Sequence, residues 1–305
     1  MMQVKFWGVR GSIPCPGPDT VKYGGNTPCI ELRIRESGRL IIIDAGSGIR
    51  ELGNYMMAHD LPKGPIRAEL FLTHTHWDHI MGYPFFTPIY IPGTEIRVCG
   101  PVNHEEDSLE GIVGGQMSYR YFPVRHLELA AKIKYTSLKE GKFDLGEGMV
   151  LTTKYLNHPV LCLGYRFQYK GKVFCTAYDT EPFQNLFTTD INDPSYDKDM
   201  AQEGKAVADE QNKAIEDFFK GVDVLVHDAQ YTKREYKESR VGWGHSSIEH
   251  TVAAANRAGV KNLVLFHHEP GRSDKEIDRI AEELHAGKKW STNLIFAREG
   301  MVIDV

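Results

Sequence analysis

Short apolar runs broken by Gly, Pro, Asn and Asp dominate the first third of the chain. VKFWGV, CIELRI and RLIIIDAG each read as a β-strand bounded by turn residues. RLIIIDAG is almost unbroken in its apolar character, as expected of a strand covered on both faces. The pattern predicts a short helix over 46–57, then strands over 67–73 (RAELFLT) and at EIRVCG. Residues 101–130 are mixed and predict a helical excursion. Residues 143–158 hold a further strand pair, and LGYRFQYKGKVFCTAYD reads as a hairpin turning at Lys170 and Gly171. The stretch 183–204 is polar and loop-like. After it come a helix over 201–220, the strand VDVLVHDAQ, and a helix over 246–258. Ser246 or Ser247 caps that helix, with Glu249 in its first turn. The strand NLVLFHH, a helix over 274–285 and the run NLIFAREGMVIDV close the chain.

No repeat, low-complexity tract or linker divides this pattern. The order of elements predicts one α/β domain over 1–305, with insertions near 101–130 and 183–204. A length of 305 residues is ample for a large core. Apolar residues make up 41% and charged residues 25%, the balance of a soluble globular protein.

The formal net charge of -5 argues against a general nucleic-acid binder, which needs a basic face. The densest basic clusters are the pairs Lys233-Arg234 and Lys288-Lys289. Cys15, Cys29, Cys99, Cys162 and Cys175 are odd in number and contain no CxxC pair, so neither a disulfide framework nor a cysteine zinc site is expected. MMQVKFWGVRGS lacks the features of a signal peptide, and no run approaches the roughly 18 apolar residues of a membrane span. The expectation is a cytoplasmic protein without membrane attachment.

The chemistry concentrates in Thr73-His74-Thr75-His76-Trp77-Asp78-His79. His74, His76, Asp78 and His79 are metal-ligand types, placed directly after an apolar strand. On extended backbone, positions i and i+2 point the same way, so His74 and His76 can meet one ion. A turn after Trp77 presents Asp78 and His79 to a neighbouring position. A His-rich surface turn is the bland alternative, but four ligands at this spacing favour metal. Further candidates close other apolar runs: His158 before Pro159, Asp179 after VFCTAY, and His267 or His268 after NLVLF.

With these residues in view, the chain resembles the metallo-β-lactamase superfamily. It is similar in particular to the branch holding tRNase Z, the phosphoribosyl cyclic phosphodiesterases and small cyclic-nucleotide phosphodiesterases. The resemblance runs through GSIPCPG, YGGNTPCIEL, IIIDAGSGI, THTHWDH, NHP, YDTEP, VHDAQY, GHSS and LFHHEP. It implies a four-layer αββα sandwich and two divalent metal ions, zinc first, with manganese or iron also compatible. His74, His76 and His158 would hold the first ion, Asp78, His79 and His267 the second, and Asp179 would bridge. His267 is chosen over His268 because the family places Pro three residues after the ligand, and Pro270 fits. His268 would then lie behind the ligand or at a polar surface. His245 of GHSS would donate a proton or contact phosphate, Asp228 would orient it, and His227 would be structural. The chain has HDAQ where the tRNA-processing enzymes carry HEAT. Asn26 and Asp44 are candidates to orient ligand histidines. Gly8, Gly11, Gly24 and Gly25 read first as turn residues.

The implied reaction is hydrolysis of a small (cyclic) nucleotide or related phosphodiester by a hydroxide held between two metals, with Asp78 placed to hold it as well. No basic or Gly/Pro-rich arm for tRNA is evident, and 183–204 carries Asp190, Asp193, Asp197 and Asp199 against Lys198. An RNA-processing nuclease, a thioester or lactone hydrolase, and a non-enzymatic metal sensor are the alternatives. A homodimer is expected.

Overall fold

A computed structural model describes residues 1–102, 108–287 and 289–305. Residues 103–107 of the 101–130 stretch, and Lys288 of the Lys288-Lys289 pair, lie outside the described residues. In chain order the elements are β1 (Met2–Gly8), β2 (Cys29–Ile34), β3 (Leu40–Ile43), α1 (Ile49–His59), β4 (Arg67–Phe71), α2 (Trp77–Ile80) and β5 (Glu95–Gly100). Then follow α3 (Leu109–Gly115), β6 (Lys132–Ser137), β7 (Gly141–Gly146), β8 (Met149–Leu156), β9 (Cys162–Tyr169) and β10 (Lys172–Ala177). The remainder is α4 (Lys198–Phe219), β11 (Val224–Asp228), α5 (Lys233–Ser239), α6 (Ile248–Arg257), β12 (Asn262–Phe266), α7 (Asp274–Gly287), β13 (Asn293–Phe296) and β14 (Val302–Asp304).

The strands form two seven-stranded sheets among the described residues, ordered β14-β1-β2-β3-β4-β5-β6 and β13-β12-β11-β10-β9-β8-β7. The twofold alternation of strand side chains explains the layering. Ile41 and Ile43 face the other sheet, while Leu40 and Ile42 face α1. On the second sheet Val264 and Phe266 face inward, and Leu263 and Leu265 face the helical layer. Each continuous apolar strand therefore serves two cores, and the result is the αββα sandwich of the metallo-β-lactamase type. No helix of the described residues is long and apolar enough to cross a membrane.

Several boundaries differ from the sequence pattern. The long helix starts at Lys198 rather than 201, because the Asp197 side chain accepts from the backbone N–H of Asp199 and Met200 and caps it. The first helix starts at Ile49 rather than 46. Gly46 instead packs so tightly that a Cβ there would stand 2.4 Å from the Asp78 carbonyl. The pattern gave no sign of β6, an edge strand alternating charged and part-buried residues, or of α5, which a Thr232/Glu235 capping box starts. Within 101–130 the described helix is short, Leu109–Gly115. The hairpin turns where expected: Lys170 (φ 48) and Gly171 (φ 78) both take left-handed backbone.

Parallel pairing puts the carboxyl ends of β4, β10, β11 and β12 at one rim of the sandwich, and β8 ends there too. The candidate ligands follow those ends.

Candidate metal centre

Three groups of potential ligands converge at this rim among the described residues: two hold the expected metal ligands, and the third joins Asp179 and His267 to Asp228 and His245. One ligand atom from each of His74, His76, His158 and Asp179 lies within 4.8 Å of the others, and the same holds for Asp78, His79, Asp179 and His267. The Asp179 carboxylate stands between the sets. Its Oδ2 lies 3.4 Å from His74 Nε2 and 3.2 Å from His79 Nε2, and its Oδ1 lies 3.3 Å from His267 Nε2. Asp78 Oδ2 is 3.1 Å from His267 Nε2 and 3.3 Å from His79 Nε2. The backbone N–H of Ser12, itself at φ 62, fixes that same oxygen at 2.8 Å.

The far side of each ring sets its tautomer. His79 Nδ1 donates to Asp44 Oδ2 at 2.8 Å, His158 Nδ1 to the Gly244 carbonyl at 2.9 Å, and His267 Nδ1 to Gln230 Oε1 at 3.1 Å. His74 Nδ1 meets the Thr73 hydroxyl at 3.1 Å, and that hydroxyl donates to Asp44 at 2.8 Å, so it accepts from the ring. Each of these rings therefore turns its Nε2 toward the cleft. Asp44, buried and at φ 62, orients two of the rings at once. The expectation for Asn26 is corrected. Its amide donates to Glu299 and its oxygen accepts from Ser47, and among the described residues no hydrogen bond joins its side chain to a candidate ligand.

The donor set fits cations. Among the described residues, His74 Nε2, His79 Nε2 and Asp179 Oδ1 are buried without a hydrogen-bond partner, a costly state for polar atoms unless another group satisfies them. Imidazole Nε2 atoms of His74, His79 and His267 face carboxylate oxygens at 3.1–3.4 Å, a donor set that suits a cation between them. Burial alone would lower the His79 pKa, yet Asp179, Asp78 and Asp44 push it well above the usual imidazole value. That shift measures how negative the cleft is. Burial holds His158 down at about 4, leaving its lone pair free for a ligand bond at neutral pH.

His245 borders both sets. Its ring stacks 4.9 Å from His267 and lies 5.5 Å from His158. Its Nδ1 donates to Asp228 Oδ2 at 2.9 Å. Asp228 is fully buried and also accepts from the backbone N–H of Thr180, Ser246 and Gln230. Burial would lower the His245 pKa, but Asp228, Asp179 and Asp78 raise it to about 9. His227 turns away, its ring against Phe219 and its Nδ1 2.7 Å from the Asp228 carbonyl. His268 is not at the surface. It is 3% exposed, and its Nε2 donates to the Ala297 carbonyl at 2.8 Å. Of the candidate glycines, Gly11 matters here, since a Cβ on it would stand 2.5 Å from His267 Nδ1. Gln230, Thr73, Ser12 and Glu181 were not legible as site residues. All four lay in quoted motifs, Ser12 in GSIPCPG, Thr73 in THTHWDH, Glu181 in YDTEP and Gln230 in VHDAQY, but nothing in those motifs marked them as partners of ligand groups.

Residues 24–149 match the family described as "Metallo-beta-lactamase superfamily". Ribonuclease Z of Lactococcus lactis subsp. cremoris (strain MG1363) is 27% identical over 317 residues, spanning 93% of this chain and 95% of its own. The metallo-beta-lactamase fold protein YhfI from Bacillus subtilis has the same fold, with TM-score 0.64, 15% identity, and 99% and 98% of the two chains covered. A diphosphatase of the PhnP family aligns with TM-score 0.62 and 15% identity over 100% and 98%.

Proposed function

We propose that this chain, a hydrolase belonging to the metallo-β-lactamase superfamily, cleaves a small phosphodiester, with cyclic nucleotides the first class to test. His74, His76 and His158 would hold one divalent ion, Asp78, His79 and His267 a second, and Asp179 both. Zinc suits this imidazole and carboxylate set, as do manganese and iron. When bound, such ions supply Lewis-acid stabilisation of a phosphoryl oxygen and a nucleophile at neutral pH.

The observation that carries the reading is the His245–Asp228 pair beside the ligand sets. Asp228 fixes Nδ1–H and holds the ring protonated, so Nε2 keeps a proton to give to the leaving oxygen of an ester. Ser12 N–H and His267 hold Asp78 at the rim of the same cleft. A thioester, whose thiolate leaves without help, has less need of such a donor.

The likeness to ribonuclease Z supports a second reading, cleavage of RNA. Against it stands the exposed acidic stretch ending at Asp199, which would repel RNA phosphates. The experiment is a screen of the metal-loaded protein against bis-p-nitrophenyl phosphate, cyclic mononucleotides, cyclic dinucleotides and precursor tRNA. Turnover of cyclic nucleotides supports the proposal. Salt-sensitive cleavage of precursor tRNA alone moves the assignment to the nuclease. No phosphodiester turnover with rapid thioester hydrolysis overturns both. A homodimer belongs to the same reading, and light scattering tests it.

A further inference from the structure

Beside the metal centre lies a cavity of about 690 Å³ that none of the ligand chemistry uses. Phe183, Leu186, Phe187, Met200, Val207 and Val241 line it. On α4, Met200, Gly204, Val207 and Gln211 recur at helical spacing, forming a stripe that faces the cavity. The Phe187 ring closes on Gly204, where a Cβ would stand 2.5 Å from it. The apolar wall is open to water: Leu186 is 92% exposed, Val241 53% and Val207 48%. Such a patch marks a binding surface more often than a bare surface does, and the volume suits a drug-sized organic group.

Part of the remaining wall adjoins the metal centre along the chain. Asn157 and Glu181 line the cavity, and they flank His158 and Asp179 in sequence. The Glu181 N–H donates to the Asn157 carbonyl at 3.0 Å, tying the two connections together. The buried Glu181 carboxylate accepts from Gly242 N–H, Gly244 N–H and the Tyr236 hydroxyl. Gly242 is cavity wall, Gly244 O receives His158 Nδ1–H, and His245 follows. One carboxylate thus holds cavity wall, ligand and proton donor in a single unit.

We propose that this cavity receives an apolar, aromatic-sized substituent of the phosphodiester cleaved at the metal centre. The proposal rests on the phosphodiesterase reading. It makes the segment from Phe183 through α4 a specificity element, since that segment supplies most of the wall. The probes are methyl, phenyl and 1-naphthyl esters of p-nitrophenyl phosphate, which share one leaving group. In the wild-type protein kcat/KM should rise by about 10–200-fold from methyl to naphthyl. Val207→Asp, and separately Phe187→Ala with Leu186→Ala, should bring that ratio toward one while the methyl ester rate stays within about twofold. A ratio near one in the wild type, or one unmoved in both variants, overturns the cavity assignment but leaves the phosphodiesterase reading intact. If no ester is hydrolysed, that reading falls, and calorimetric titration with 1-naphthyl phosphate decides the cavity separately. Binding lost in Val207→Asp retains it, and no binding overturns it. A change in oligomeric mass on Val207→Asp without a change in ester preference assigns the stripe to a second copy of the chain and overturns the proposal.

Discussion

His79 and Asp44 share a buried 2.8 Å hydrogen bond, and the same carboxylate reaches His74 through the Thr73 hydroxyl. One residue at the end of β3 therefore orients a member of each ligand set, and it does so from left-handed backbone at φ 62.

Replacing Asp44 with Ala should weaken metal binding by about 10–100-fold at both positions, as losing an outer partner of ligand imidazoles does. Competition with a chromophoric chelator measures it. Asn26→Ala, which removes no partner of a ligand ring, should leave affinity within about threefold.

His245→Ala should lower kcat on a poor leaving group by about 10²–10⁴-fold, the range for loss of a positioned acid. Metal content by elemental analysis should stay near that of the wild type. Loss of metal in this variant would show that His245 is a ligand and not the acid.

The pH profile should report Asp228. Its carboxylate helps raise His245 to about 9, so the acid form persists at neutral pH and is lost as pH rises through that value. Asp228→Asn lowers the value, and the basic limb of the kcat profile should move to lower pH. An unmoved limb would assign it to another group.

Gly11→Ala should strike the second ligand set alone. Its Cβ would stand 2.5 Å from His267 Nδ1, so the ring must move off Gln230 and Asp78. The expected result is binding of fewer ions per chain, read by elemental analysis after gel filtration.

Stability should fall in acid, in part through His250. Burial, then His227 and Arg257, lower its pKa to about 4 in the folded chain against about 6.5 unfolded. The unfolded chain binds the proton first, so this contribution is complete above about 6.5 and is lost as pH falls toward 4. His250→Gln should recover on the order of 1–2 kcal/mol of that loss. Urea midpoints in the presence of chelator, from pH 7 to 4.5, measure it.

The ligand types were legible because HTHWDH packs four donors into six residues, and because His158, Asp179 and His267 each close an apolar run. Burial of β3 on both faces was legible from the continuous apolar stretch LIII, whose alternate residues feed two cores. What the one-dimensional pattern could not hold was proximity. Asp78 and His267 lie 189 positions apart and meet at 3.1 Å, and only parallel pairing that carries every relevant strand end to one rim brings them there. The outer partners were hidden for the same reason. Gln230, Glu181 and the Ser12 N–H look like ordinary loop groups until the sheets close, since a hydrogen bond is set by distance and angle in space and leaves no period along the chain.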